Sequence, residues 1–302
     1  MNYKLDFVKH RKWFMLSSAV FLVAGLLSLM FQGLNLGVDF VSGTRVDVNI
    51  GQAYNLEEAK DYLEELGYNS PDARKAGTND DILVFRTSQV LSPDEVGEIE
   101  KKFQAEYNKN VGVNEQKVDP VIGRELARNA IISVLLAALA IILYITIRFE
   151  YRFGVSAVIA LLHDALFVIG MFSIFQWEVD LVFIAAILTI VGYSINDTIV
   201  IYDRIRENMN FNKPKTWDEL KKTVNDSIGQ VLVRSLSTSF TTVFAATALF
   251  IFGGESIRYF SLALLMGLAA GTYSSIFIAS QIWITWKWRS MAKEKMKAQT
   301  AE

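Results

Sequence analysis

Seven residues set in otherwise apolar sequence carry groups able to hold or pass a cation. Asp197 lies in Gly192-Tyr193-Ser194-Ile195-Asn196-Asp197-Thr198, inside the apolar run 181–202. Arg234 lies in the run 231–252, and His163-Asp164 lies in the middle of 153–175. An ionisable group within a membrane span is costly and is a functional candidate for that reason. A carboxyl group in a low dielectric favours its protonated form, whereas a guanidinium beside it favours the carboxylate. A joining and parting pair of Asp197 and Arg234 would therefore take up and release a proton. Ser194, Asn196, Thr238, His163 and Asp164 would shape its path. Thr238, Thr241 and Thr242 follow Arg234 nearly on one helical face, and Ser235, Ser237 and Ser239 broaden that stripe. Such hydroxyls suit a water file or hydrogen bonds to a neighbouring span. The same residues also fit a static buried ion pair, and His163-Asp164 fits a plain hydrogen bond across helices. Gly267 and Gly271 form a small-xxx-small pair suited to close helix packing.

Other chemistry is poorly provided for. The chain has no cysteine and only two histidines, His10 and His163, so thiolate, disulfide and histidine-built metal sites are not expected. Neither a phosphate-binding G-x-x-x-x-G-K-[ST] loop nor a G-x-S-x-G elbow occurs. No cofactor, no metal and no enzymatic reaction are expected. A net charge of −2 argues against nucleic acid as a partner.

The elements that must position these groups are membrane spans. The 302 residues are 52% hydrophobic, only slightly above a soluble chain, but the apolar residues are gathered into long runs. Six runs reach the roughly 20 residues that cross a hydrocarbon core: 13–31, 127–147, 153–175, 181–202, 231–252 and 259–285. All four prolines lie outside them, and Trp13, Trp177, Trp283, Trp286 and Trp288 sit near their ends like an aromatic belt. The first run is longer than a signal-peptide core and lacks an A-x-A site, so it reads as a span. Basic residues fill 1–12 (Lys4, Lys9, Arg11 and Lys12), the turn with Arg148 and Arg152, the loop 203–230 and the tail 286–302. The links 176–180 and 253–256 carry none. Both termini are thus expected to be cytoplasmic, in a multi-pass protein of the lipid bilayer.

One block, 32–126, falls on the other side. Positions 37–128 hold 11 basic and 18 acidic residues, a net charge of −7. Residues 44–50 alternate as a strand, Asn55 with Glu58 opens a helix that Gly67 closes, and 82–87 reads as a strand. Ser92-Pro93-Asp94-Glu95 starts a second helix, 111–118 is a last strand, and a weaker strand falls near 72–76. The order βαββαβ predicts an α+β, ferredoxin-like extracytoplasmic domain between spans one and two. Such a domain can dock a ligand by its sheet or serve only as a cap.

Residues 191–208, VGYSINDTIVIYDRIREN, resemble the signature of the SecD/SecF protein-export membrane family, in its SecF form. Gly37-Val38-Asp39-Phe40-Val41-Ser42-Gly43-Thr44 resembles the family's G-x-D-F-x-G-G-T. Leu162-His163-Asp164 and Gly271-Thr272-Tyr273-Ser274-Ser275-Ile276 match as well. The departures are Ser42 in place of glycine, Asp119-Pro120 in place of Gly-Pro, and Gln281 where proline is frequent. The resemblance implies an RND-type fold of six transmembrane helices paired with six from SecD across a pseudo-twofold, in the bacterial cytoplasmic membrane. It implies SecD, the SecYEG translocon and unfolded secretory preproteins as partners. It further implies that proton flow drives external-domain motion that draws exported chains outward, with Asp197 and Arg234 matching the residues held to carry it. An RND-type small-molecule exporter half and a purely structural translocon subunit are the alternatives, and sodium is an alternative to the proton.

Overall fold

The computed structural model describes residues 6–68, 72–77 and 79–300, the last seven as helix backbone only. Lys4, Pro71 and the side chains of Lys295 and Lys297, all used in the sequence reading, lie outside the described residues. Helix α1 (Arg11–Phe31) leads through β1 (Asn35–Leu36) and the single turn α2 (Val38–Val41) into a block of strands and helices. That block runs β2 (Gly43–Asn49), α3 (Leu56–Glu65), β3 (Asp72–Ala76), β4 (Ile82–Thr87), α4 (Pro93–Glu106) and β5 (Gly112–Val118). Helices α5 (Pro120–Arg148) and α6 (Tyr151–Ile174), the short β6 (Glu178–Val179), α7 (Leu181–Asn212) and α8 (Trp217–Phe252) follow. Helix α9 (Glu255–Ser274) passes through a π-helical turn, Ser275–Ala279, into α10 (Ser280–Thr300). Among the described residues, six helical stretches are long and apolar enough to cross a membrane, the last running through α9 and α10.

The soluble block has the βαββαβ order with strands arranged β3-β4-β2-β5, every pair antiparallel. Alternation places Val46, Val48, Leu83 and Phe85 on one face, where Leu63 of α3 and Ile99 and Phe103 of α4 cover them. Ser92 and Glu95 form a reciprocal capping box at α4. At α3 the Asn55 side chain instead accepts from the Glu57 amide, while its own amide group donates to Glu58.

Several helices outrun the apolar runs. Helix α5 begins at Pro120, because Asp119 caps it by accepting from the Val121 amide at 2.8 Å. The segment 203–230 is helical apart from 213–216: α7 continues to Asn212, and a Thr216–Glu219 capping box starts α8. Trp283 is no belt residue. It is buried and stacks on Phe153 with ring centroids 4.5 Å apart.

Two close approaches set the helix packing. Gly25 of α1 faces Gly170 of α6 so tightly that a Cβ on either would lie within 2.9 Å of the other's Cα. On α9, Gly267 receives Ile190 of α7, and Gly271 one turn later receives Ser194. Small residues at these contacts let the backbones approach.

The sheet block is tied to the helical part where β1 meets β6. Strand β1 pairs in parallel with β6, Asn35 with Glu178 and Leu36 with Val179. Asp39 accepts from the Gln116 side chain of β5 and from the Leu181 amide, both at 2.8 Å, so it helps cap α7. Glu178, 3% exposed, lies within 3.4–3.7 Å of Arg45, Arg74 and Arg86. Arg74 also reaches Glu255 at the start of α9, at 3.0 Å.

Candidate functional site

The spacing of buried polar residues on α7 explains how one helix serves two polar clusters. Ser194, Asp197 and Thr198 fall on its protein-facing side, three to four residues apart, while Asn196 is exposed. Asp197, 2% exposed, accepts a hydrogen bond from Ser239 of α8 at 3.2 Å. Thr272 of α9 donates to that Ser239 hydroxyl at 2.7 Å, so the chain of hydroxyls runs α9 to α8 to the carboxyl group. Ser235, one turn before Ser239, is buried on the same side. Among the described residues, no cation lies within ion-pair distance of Asp197.

Asp164 of α6 forms the second cluster and is fully buried. One of its oxygens accepts from Ser194 at 2.5 Å and from Ser274 of α9 at 2.7 Å; the other lies 3.0 Å from His163 Nδ1. Thr198 and Ser275 exchange a third hydroxyl contact between α7 and the π turn, at 2.8 Å. Both clusters thus converge on Thr272-Tyr273-Ser274-Ser275, where α9 passes into the π turn. A π turn directly after such a cluster is a common mark of a functional segment.

Arg234 and Thr238 are not part of either cluster. Both are exposed on the outer side of α8, and Thr238 donates back to its own helix, to the carbonyls of Arg234 and Ser235. Thr242 on the next turn donates to the Tyr193 hydroxyl at 3.2 Å. Among the described residues Arg234 has no ion pair. Phe240 and Phe244 are also exposed on α8, so the charged, hydroxyl-bearing stripe runs beside exposed apolar side chains.

Of the motif residues between spans one and two, Asp39 and Thr44 are buried and bonded: Thr44 donates to the Gln89 carbonyl and accepts from the Leu91 amide, both at 2.9 Å. Phe40 packs against the apolar cluster of α6, α7 and α9. Gly37 sits against Glu178 and Val179, and a Cβ at Gly43 would strike the Thr87 carbonyl at 2.1 Å.

Sequence reasoning did not single out Thr272, Ser274 or Ser275 as site residues, nor the Glu178 cluster. The available signal was the hydroxyl run beginning directly after Gly271. Among the described residues, no group of three His, Cys, Asp or Glu side chains is placed to hold a metal ion.

Six candidate spans, acids sealed among them and a sheet domain strapped to their ends define a polytopic membrane protein of the transporter kind. Residues 98–289 match the pattern of the protein export membrane protein SecD/SecF, C-terminal, and residues 27–53 match the SecD/SecF GG motif. The protein translocase subunit SecF of Alicyclobacillus acidocaldarius is 43% identical over 298 residues, covering 97% of this chain and 96% of its own. The chain belongs to the SecD/SecF family. Protein translocase subunit SecDF of Bacillus subtilis is also 43% identical, over 96% of this chain, which spans 39% of that longer protein. The crystal structure of SecDF, a translocon-associated membrane protein from Thermus thermophilus, superposes with a TM-score of 0.85 at 34% identity, over 95% of this chain and 39% of that one.

Proposed function

We propose that this chain is the SecF-type subunit of the Sec protein translocase. With SecD it uses the proton motive force to promote passage of unfolded preproteins delivered through SecYEG, and it makes or breaks no covalent bond itself. Six spans of RND type pair with six from SecD, and both termini face the cytoplasm. Residues 32–126 form a ferredoxin-like domain outside.

One observation carries the reading. Asp197 is buried deep in a span with a hydroxyl as its hydrogen-bond donor and no counter-ion in the described chain. A carboxyl group so placed holds a proton, and it lets the proton go when water or a cation arrives. Arg234 stands ready on the outer face of the adjacent helix. A stripe of Arg and hydroxyls does not face lipid cheaply, so a partner's helices cover it. Ser194, Asn196, Thr238, His163 and Asp164 then line or steady the route.

The test is export into vesicles holding this chain with SecD. Asp197→Asn and Arg234→Met are each expected to abolish the proton-gradient-dependent part of export while assembly with SecD persists. Undiminished export by Asp197→Asn would overturn the reading. Running the same assay under a sodium gradient identifies the ion.

A further inference from the structure

The starts of α1 and α6 and the flank of α10 enclose a cavity of about 900 Å³. Five cations line it: Arg11, Lys12, Arg152, Arg289 and Lys293, with no carboxylate among its described lining residues. Among the described residues, Arg152 alone of these is matched by an acid. It bonds Glu150 and, at 2.7 Å, the Ser290 hydroxyl, and Glu150 also approaches Lys287 at 3.9 Å. Its Nε is buried with no hydrogen-bond partner. Arg11 stacks over the Trp217 ring at 4.8 Å, and its Nη1 is likewise buried without a partner. Lys12, Arg289 and Lys293 are exposed and form no ion pair among the described residues. Helices α1 and α6 both begin here, and no side chain caps either of them. Their amide ends add positive potential to that of the side chains.

Concentrated positive charge with unfilled donors calls for an anion rich in acceptors. The walls decide what the anion is attached to. Met15 and Ile282 continue the cavity toward the apolar part of the helices, and Tyr151 and Trp286, in edge contact at 5.6 Å, mark the level of the membrane surface. A free phosphate has no use for that apolar extension, whereas a lipid tail fills it. We infer that this cavity is a binding site for the phosphate group of an anionic phospholipid, held by Arg11, Lys12, Arg289 and Lys293 with its acyl chains running past Met15 of α1 and Ile282 of α10. On the topology proposed above it belongs to the cytoplasmic leaflet. The lipid site itself does not depend on the translocation reading.

The experiment places the full chain in nanodiscs of phosphatidylcholine with phosphatidylglycerol titrated in, and counts retained lipid by native mass spectrometry. The wild type is expected to retain phosphatidylglycerol selectively. Lys12→Gln/Arg289→Gln/Lys293→Gln should lose that retention by roughly tenfold or more, since each cation near a headgroup matters severalfold. Arg204→Gln/Lys213→Gln/Lys222→Gln removes the same charge elsewhere on this end and should leave retention unchanged. Equal losses in both variants would mean a diffuse field and would overturn the site, as would wild-type retention by the first variant. Displacement of the lipid by millimolar inorganic phosphate would make it a free-anion site and overturn the lipid assignment. Thermal melting in pure phosphatidylcholine, expected to be the same for all three proteins, separates loss of binding from loss of fold.

Discussion

Ser42 holds φ at 65° and ψ at 169°, backbone space that only glycine enters without strain. It stands where the family resemblance calls for glycine, directly before Gly43 at φ 114°. Part of the strain relieved by Ser42→Gly is given back as unfolded-chain entropy, so a gain of about 1 kcal/mol in unfolding free energy is expected. Denaturant titration in micelles measures it. Asp180, which caps α7 by accepting from the Phe183 amide at 2.8 Å, has its pKa pushed up from 3.8 to about 6. Burial is the main cause, the charges of Asp39 and Glu178 add to it, and the Phe183 bond opposes it. The folded chain therefore favours the protonated acid. Its stabilising contribution is complete below about pH 4 and is lost as pH rises through 6, on the order of 2–3 kcal/mol in all. Asp180→Asn keeps a capping oxygen and should flatten that part of the melting-versus-pH profile between pH 4 and 8. At this scale the sequence revealed Asp197, Asp164 and Arg234 readily, because a charge in an apolar run stands out. It did not reveal that Arg234 faces outward while Ser239 faces the acid. Helix α8 is apolar on both sides of that stripe, so hydrophobic periodicity has nothing to orient.

Helices in a bilayer gain little from burying apolar surface against each other, so contact shape decides their packing. Gly25 and Gly170 meet backbone to backbone, with nothing between them that can rotate away. Gly170→Ala must push α1 from α6 and should cost about 2 kcal/mol. At Gly267 the obstructing atoms belong to the Ile190 side chain, which can turn, so Gly267→Ala should cost less. Parallel unfolding titrations rank the two. The Gly267–Gly271 spacing was visible in sequence because both glycines lie on one helix. The Gly25–Gly170 contact was not, because its two halves sit 145 positions apart on different helices. Element identity was legible from run length and from caps such as Ser92. Element ends were harder, since polar sequence beyond a span remains helical when Asp119 or Thr216 caps it.

At the scale of the molecule, Glu178 is the hub that joins the sheet domain to the spans. Glu178→Gln leaves Arg45, Arg74 and Arg86 crowded around a neutral group. Removing one partner of a buried ion cluster costs about 3 kcal/mol or more, which corresponds to roughly hundredfold faster opening. Hydrogen exchange should show that acceleration at Asn35, Leu36 and Val179, with the amides of α6 unchanged. In the sequence, the link 176–180 stood out only for lacking basic residues. Its acid gains meaning from three arginines supplied by strands that fold elsewhere. Asp39 completes the junction by holding β5 and the start of α7 with its two oxygens. Helix α7 is one uninterrupted helix of 32 residues, about 48 Å long, with Asp197 near its middle. A pivot of only 5° about that midpoint would swing the upper tip by about 2 Å, enough to pull apart a hydrogen bond of ordinary length. On the function proposed above, a proton taken up at the fulcrum would be geared to the grip of Asp39 on the tip, with no moving loop in between.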